Sequence, residues 1–269
     1  MKIGISSWTY SWAVGVADYE PERPMGALDL LERAHALGAD VLQIADNLPL
    51  DRLEPRELDQ LALQAERHGI QIEVGTRGLD PDRLRVYLEL ARKLNAPLVR
   101  TLAHDGDDRP SLDESARRIA CVMDEFETAG IVLGVENHDF YPAQWFSQLA
   151  QRIASPCFGI CLDAVNNLGQ GESFREVLDC LAPHTVNFHC KDYTIRRKPT
   201  MLGFDVSGAA LGEGMLDLHG AYSRLKPGIS WVIELWTPFQ ENLEQTLRLE
   251  EEWVRRSMAC LHALRAKCT

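Results

Sequence analysis

Four side chains that can bind a metal stand at the ends of short apolar runs in the second half of the chain. These four residues, which we call the strand-end cluster, are Glu136, Asp163, His189 and Glu234. Ionised carboxylates that follow apolar segments are costly to bury unless a cation lies beside them. Three carboxylates and one imidazole form an oxygen-rich donor set that suits Mn²⁺, Mg²⁺ or Co²⁺, with Zn²⁺ as a further alternative. We therefore expect one divalent metal ion at the cluster, and Mn²⁺ before the other three.

Eight apolar runs of about five residues alternate with amphipathic segments from one end of the chain to the other. Their hydrophobicity is continuous, which is typical of parallel strands covered on both faces. Eight strand–helix units predict an α/β fold, a (β/α)8 TIM barrel that forms a single domain over residues 1–269. The predicted strands are Ile3–Ser6, Val41–Ile44, Ile70–Val74, Leu98–Leu102, Ile131–Glu136, Phe158–Asp163, Thr185–His189 and Trp231–Leu235. Active sites of such barrels lie at the carboxyl ends of the strands, where the cluster falls.

Two segments between the strands carry specific expectations. The pattern from Leu112 to Ala129 predicts one continuous helix that ends at Gly130. Residues 190–216, after the seventh strand, are predicted to be a long loop, and they contain the cations Lys191, Arg196, Arg197 and Lys198. Loops of this length in compact domains are usually functional or disordered.

Composition narrows the classes of partner. The 28 Lys and Arg residues against 40 Asp and Glu residues give a net charge of -12, which argues against a protein that grips a phosphate backbone. The seven cysteines are odd in number and irregularly spaced, as expected for reduced thiols in the cytoplasm. The first residues lack the apolar stretch of a signal peptide, and no run reaches the roughly 18 apolar residues of a membrane span. We expect a cytoplasmic protein without nucleic-acid or membrane partners.

Several motifs add a resemblance to these observations. The strand-end cluster, the His189-x-Lys191-Asp192 motif and the Leu211-Gly212-Glu213-Gly214 turn resemble the xylose-isomerase-like TIM-barrel superfamily, the sugar phosphate isomerase/epimerase family. The resemblance covers nearly the whole chain, from Met1-Lys2-Ile3-Gly4 to the last strand. It implies a divalent metal held by the cluster, a small carbohydrate substrate and a homo-oligomer.

The chemistry of such a site is proton transfer next to a carbonyl group. A metal that chelates a ketone and its neighbouring hydroxyl stabilises an enediolate. Glu136 and Glu234 are the candidate catalytic residues that remove and return the proton. This predicts an isomerase or epimerase of a keto-sugar or sugar acid. Loss of a β-hydroxyl, as in the inosose dehydratases, or loss of CO2 without any C–H cleavage would make the enzyme a lyase instead.

The basic segment favours an anionic substrate. Lys191 and Arg196 are candidate substrate-binding residues, and a substrate carboxylate would explain cations on an acidic chain. In the ketose 3-epimerases an Arg shortly after the strand-seven His contacts the substrate, and Arg196 or Arg197 falls near that offset, though not at it. Those epimerases also carry a His three residues after the strand-six Asp, where this chain has Asn166, a further candidate contact. The segment from Lys191 to Gly214 also resembles the 3-oxo-isoapionate decarboxylase group of the same superfamily.

Two other residues are candidate substrate contacts: Trp8 follows the first strand and His104 the fourth. An abasic-site endonuclease is a remote alternative, because the endonuclease IV branch shares the barrel but uses three zinc ions and correspondingly many His ligands. A non-catalytic sugar-binding or regulatory barrel is another, and the complete four-residue cluster argues against it.

Overall fold

Ten strands form the sheets of the computed structural model, which describes residues 1–268. They are β1 (Lys2–Ser6), β2 (Val41–Ile44), β3 (Gln71–Gly75), β4 (Leu98–Leu102), β5 (Val132–Glu136), β6 (Phe158–Asp163), β7 (Thr185–Cys190), β8 (Asp192–Arg197), β9 (Phe204–Ala209) and β10 (Ser230–Ile233). Eight of them are parallel and close into a barrel in the order β1-β10-β7-β6-β5-β4-β3-β2. Each barrel strand therefore pairs with the barrel strands before and after it in the sequence. The predicted (β/α)8 TIM barrel in a single domain is confirmed.

Ten helices accompany the strands within the described part of the chain. They are α1 (Ser11–Val14), α2 (Ala27–Ala36), α3 (Pro55–His68), α4 (Pro81–Lys93), α5 (Leu112–Ala120), α6 (Met123–Ala129), α7 (Ala143–Ile153), α8 (Phe174–Leu181), α9 (Leu218–Arg224) and α10 (Leu243–Cys268). Alternate strand residues such as Ile3, Ile5 and Phe188 are fully buried with the apolar faces of the helices in the core. The intervening strand residues point into the barrel, where its buried polar groups lie. Among residues 1–268, no helix is both long and apolar enough to cross a membrane.

The helix predicted from Leu112 to Ala129 is interrupted. The structure divides it into α5 and α6, with Cys121 and Val122 between them. Val122 has a φ of -122°, outside the helical range, and its side chain is fully buried. The amphipathic pattern on both sides of the break gave no sign of it in the sequence.

The segment 190–216, expected to be a loop, contains regular structure. Strands β8 and β9 pair antiparallel over their full length and form a hairpin, Asp192–Ala209, outside the barrel. Cross-strand partners share a face, so Ile195 and Val206 lie on one face and Arg196 and Asp205 on the other. The hairpin carries the cations Arg196, Arg197 and Lys198 away from the barrel end.

Candidate metal centre

The strand-end cluster forms one group at the carboxyl ends of four neighbouring strands. Asp163 on β6 and His189 on β7 are register partners, Glu136 ends β5, and Glu234 directly follows β10. Each residue offers one ligand atom, and these four atoms lie within 4.8 Å of one another. All four side chains are buried. The barrel register thus brings together residues that are up to about a hundred positions apart in the sequence.

The imidazole of His189 has the surroundings of a metal ligand. Neither ring nitrogen has a hydrogen-bond partner among the described residues, although the side chain is completely buried. Nδ1 lies 3.3 Å from Glu136 Oε2 and 3.5 Å from Glu234 Oε1. Burial alone would lower the pKa of His189, but the two glutamate charges raise it above its usual value. A ring nitrogen without a partner, facing two carboxylates, fits a bound cation.

Lys191 lies among the same carboxylates. Its Nζ is 2.9 Å from Asp163 Oδ2 and 3.0 Å from Glu234 Oε2, and it sits 5.3 Å from the centre of the Trp236 ring. Burial opposes the charged form, but the attraction of Asp163 and Glu234 is larger and raises the pKa of Lys191. The ammonium group therefore stays protonated inside the cluster, where it can donate hydrogen bonds to an anionic substrate.

Arg100, in the middle of β4, supplies a second buried cation. Its guanidinium donates to Glu136 Oε2, to Asp46 Oδ1 at 2.7 Å and to the carbonyl oxygen of Thr76 at 3.2 Å. Burial would raise the pKa of Glu136, but Arg100, with help from His189 and Lys191, holds that pKa well below its usual value. Glu136 is therefore ionised over the whole neutral range, as a metal ligand must be.

Asn166 connects two carboxylates of the cluster. Its side-chain amide donates to Glu136 Oε1 at 2.8 Å, and its backbone N–H donates to Asp163 Oδ1 at 2.8 Å. Asp163 Oδ1 also accepts from the backbone N–H of Val165 at 2.8 Å. These bonds fix the orientation of both carboxylates, which is the usual role of the groups around a metal site.

A cavity of about 500 Å³ reaches Glu136 and Glu234 from the carboxyl end of the barrel. Trp8 and Trp236 belong to its apolar lining, and its polar lining includes Asp46, Arg77, Arg100, Asn166 and Lys191. Arg77 is a third cation here, and its Nε donates to Asp46 Oδ2 at 3.0 Å. The cavity thus offers ring surfaces together with charged and amide groups, a combination suited to a small polar ligand.

The structure separates the candidate substrate contacts into two groups. Trp8, Asn166 and Lys191 line the cavity. His104 does not, since it is buried against the rings of His138 and Phe140, at centroid distances of 4.9 and 4.4 Å. Burial and the neighbouring His138 lower the pKa of His104 to about 4, so this imidazole is neutral.

Arg196 also lies outside the cavity. It is exposed on the hairpin face that carries Asp205, whereas Val206 on the opposite face lines the cavity. Sequence proximity to His189 suggested a contact that the direction of β8 does not provide.

Sequence reasoning missed Arg100, Asp46 and Arg77, which all line the cavity. Arg100 had a usable signal, because a charged residue inside the apolar run Leu98–Leu102 must find a partner when the strand is buried. Asp46 and Arg77 follow β2 and β3 by two residues and could have been read as strand-end residues.

Comparisons with known proteins agree with this architecture. A family model described as "Xylose isomerase-like TIM barrel" matches residues 31–263. The chain is 36% identical over 265 residues to 3-oxo-isoapionate decarboxylase of Pectobacterium atrosepticum, an alignment that covers 97% of this chain and 95% of that protein.

Solved structures share the fold at low sequence identity. D-psicose 3-epimerase of Clostridium cellulolyticum, solved with D-tagatose, superimposes with a TM-score of 0.71 at 17% identity and covers 99% of both chains. A xylose isomerase-like TIM barrel protein of Mycobacterium smegmatis, solved in complex with magnesium, gives a TM-score of 0.69 at 15% identity and covers 97% of both chains. At these identities the two structures show that the fold is shared, and nothing more.

Proposed function

The chain belongs to the xylose isomerase-like TIM-barrel family, and we propose that within this family it is a divalent-metal-dependent decarboxylase of a small 3-oxo sugar acid. The observation that carries the proposal is the combination of a buried donor set with two buried cations, Arg100 and Lys191, that pair with its carboxylates. The 36% identity to a 3-oxo-isoapionate decarboxylase over almost the full length supports the same reaction class.

The strand-end cluster is the group that would hold the metal. Its carboxylates and the unpartnered His189 ring suit a divalent cation such as Mn²⁺ or Mg²⁺. When bound, such a cation supplies a Lewis acid that draws negative charge towards a carbonyl oxygen. Asn166 and Arg100 keep Glu136 ionised and oriented for this task.

Lys191 is our candidate for binding the anionic end of the substrate. Loss of CO2 from a 3-oxo acid breaks the bond between the carboxylate carbon and its neighbour, and the electron pair moves towards the 3-oxo carbonyl group. No C–H bond has to be broken first, so the reaction needs charge stabilisation and one later protonation at carbon. Protonated Lys191, 3.0 Å from Glu234, is placed to hold the carboxylate and to offset the charge that develops. Trp8 and Trp236 would wall the carbon skeleton and limit the access of water.

The ionised state of Glu136 favours decarboxylation over a mechanism with two bases. An epimerase with two carboxylates needs each of them to hold and to release a proton. Glu136 accepts hydrogen bonds from Arg100 and Asn166, and its pKa is held well below the usual value, so it is a weak base.

An isomerase or epimerase of a keto-sugar is the second candidate. The observation in its favour is that two carboxylates, Glu136 and Glu234, lie at the same centre, at 3.3 and 3.5 Å from His189 Nδ1. In this scheme Glu234 would transfer the proton, and it accepts from the Ser6 hydroxyl at 3.1 Å and pairs with Lys191 Nζ at 3.0 Å.

The two candidates are separated by following metal-loaded protein in D2O by NMR with a panel of 3-oxo sugar acids and keto-sugars. Decarboxylation predicts bicarbonate release from a 3-oxo acid and one solvent deuterium at the carbon that lost CO2. Exchange of a substrate C–H with solvent and formation of an epimer, without bicarbonate, would contradict our proposal and favour the second candidate. A metal-free sample is the control, and stoichiometric metal content should be measured on the same preparation.

A further inference from the structure

Asp192, which begins β8 just beyond the metal-site strand β7, binds an unusual number of backbone groups. Its Oδ2 accepts from the N–H groups of Gly212 at 2.8 Å and Gly214 at 3.0 Å. Its Oδ1 accepts from the N–H groups of Leu216 at 3.0 Å and of Tyr193, the next residue, at 2.8 Å. The side chain is almost completely buried. The carboxylate thus fills a pocket of backbone N–H groups of the kind that commonly binds anions.

The segment Leu211–Leu216, which we call the return segment, is shaped to fit this carboxylate. Gly212 has a φ of +86°, in the region that favours glycine, and a Cβ on Gly214 would overlap Asp192 Oδ1. The return segment is also attached to α10, because the N–H of Leu211 donates to Ser257 Oγ at 2.9 Å. Asp192 is therefore the link between the end of β7 and a segment held by the last helix.

This link has two neighbours that belong to the candidate site. Lys191 directly precedes Asp192 and places its Nζ on Asp163 and Glu234. The hairpin leaves the barrel at Asp192 and brings Val206 to the cavity wall. Its strand β9 packs against Trp236, since a Cβ on Gly208 would overlap the Trp236 backbone.

We propose that Asp192 is a positioning residue that fixes both Lys191 and the hairpin wall of the cavity by occupying the backbone N–H groups of the return segment. The kinetic part of this inference rests on the proposed function, whereas the placement of the hairpin does not. Asp192 does not reach the cavity, so it acts through its neighbours.

The proposal distinguishes a carboxylate from an amide at this position. In Asp192→Asn one oxygen becomes an NH2 group, which would face two backbone N–H groups and accept from neither. Two of the four hydrogen bonds are lost and the remaining ones are no longer charge-assisted. The hairpin base should then open locally more often while the barrel stays closed.

Limited trypsin digestion followed by mass spectrometry tests whether the hairpin opens more often in D192N. Arg196 and Arg197 are the cleavage sites, since Pro199 protects Lys198. We expect cleavage of D192N at these two sites to be about tenfold faster than in the wild type, as local opening becomes more frequent. The matched control is Asp80→Asn, because Asp80 also accepts a backbone N–H, that of Arg83 at 2.9 Å, but is exposed at the start of α4 and has no bond to the hairpin or the return segment.

Steady-state kinetics tests whether Asp192 positions Lys191. With the substrate found in the D2O experiment, KM of D192N should rise about tenfold, and more than kcat falls, while metal stoichiometry stays at the wild-type value. Wild-type cleavage rates at Arg196 and Arg197 would overturn the proposal. Faster cleavage spread evenly along the chain would also overturn it, because Asp192 would then support the fold in general.

A second variant tests the proposal in case D192N folds poorly. Gly214→Ala pushes a methyl group towards Asp192 Oδ1 and should give the same cleavage pattern with a smaller increase. Should the proteolysis result hold while no substrate is turned over, the placement of the hairpin stands and the proposed function fails.

Discussion

The barrel interior contains two layers of buried polar side chains, and the carboxylates of the two layers have different hydrogen-bond donors. The upper layer is the strand-end cluster, whose negative charges meet the cations Arg100 and Lys191. The lower polar layer lies nearer the amino ends of the strands and consists of Gln43, Glu73, Asn187 and Ser230. Asn187 and His189 lie two residues apart on β7 and point the same way, so the two layers are stacked.

The chemistry of the donors separates the layers. Glu73 accepts from the amides of Gln43 and Asn187, at 3.0 and 3.1 Å, and from the hydroxyl of Ser230, all of them neutral. Burial therefore raises the pKa of Glu73, and these hydrogen bonds oppose the shift only in part. Glu136 is equally buried, but Arg100 holds its pKa well below the usual value. Burial of a carboxylate alone does not mark a functional site, whereas burial beside cations and an unpartnered imidazole makes the strand-end cluster the candidate site.

The same isosteric change in both layers should have very different effects on activity. Glu234→Gln removes a charge from the donor set, and we expect kcat to fall by about 1000-fold, because both metal binding and charge balance are impaired. Glu73→Gln keeps the shape of a side chain outside the cavity, and kcat should change less than about threefold. Both values come from kinetics on protein whose metal content has been measured. Equal losses in the two variants would remove the functional distinction between the layers.

Removing the central cation should cost the fold more than any neutral hydrogen bond. Arg100→Met removes the guanidinium from buried Glu136 and leaves Asp46 with Arg77 alone, and the free energy of unfolding should fall by about 3–5 kcal/mol. Urea denaturation monitored by circular dichroism measures the change. The double variant Arg100→Met/Glu136→Gln should recover part of the loss, since the carboxylate that loses its guanidinium partner is replaced by a neutral amide. No recovery would show that packing of the Arg100 side chain, rather than charge, stabilises this layer.

The two layers should respond to pH with opposite signs in metal-free protein. The pKa of Glu136 is lowered by folding, so its contribution to stability is present above the ordinary glutamate pKa and is lost as the pH falls. The pKa of Glu73 is raised, so its contribution is present at low pH and is lost as the pH rises through the raised pKa.

In Glu73→Gln the side chain at position 73 cannot ionise. As the pH rises from about 4 to about 8, above the pKa of an unperturbed glutamate, this variant should therefore lose less stability than the wild type. Urea denaturation across this range gives the slope of unfolding free energy against pH for Glu73→Gln and for the wild type. The prediction concerns the difference between these two slopes, not the stability of either protein at one pH. Parallel slopes would mean that the neutral donors of the lower polar layer hold Glu73 ionised as effectively as a cation would.

The smallest effect is expected outside both layers. Arg196→Ala removes an exposed cation on the hairpin face opposite Val206, and kcat/KM should change less than about twofold. Steady-state kinetics at two salt concentrations checks this, because a remote cation could still attract an anionic substrate at low salt. A tenfold increase of KM would return Arg196 to the group of substrate contacts.

The sequence allowed the upper layer to be predicted better than its surroundings. Parallel strands place their carboxyl ends at one rim, so Asp163 and His189 could be placed together without knowing any side-chain contact. Arg100 lies in the middle of β4, so a rule that considers only the ends of strands does not point to it.

The hairpin shows the limit of sequence proximity. Arg196 follows His189 by seven residues, but an extended strand advances about 3.3 Å per residue and β8 runs outward from the barrel. Which face of the hairpin meets the cavity depends on how the β8–β9 pair packs against the barrel, where Gly208 lies against Trp236, and the sequence of β8 alone does not contain that information. The homo-oligomer, the absence of nucleic-acid partners and the choice of Mn²⁺ over other metals stay predictions.

The closed barrel has a consequence for how the metal site comes into being during folding. Glu136, on β5, and Glu234, after β10, are almost a hundred residues apart, but the strands that carry the four donors are consecutive in the barrel order β10-β7-β6-β5. The donor set is therefore complete once these four strands pair, and it does not require the pairing of β10 with β1 that closes the ring. A cation bound by all four residues would tie the four strands together, and we expect it to slow the opening of this half of the barrel.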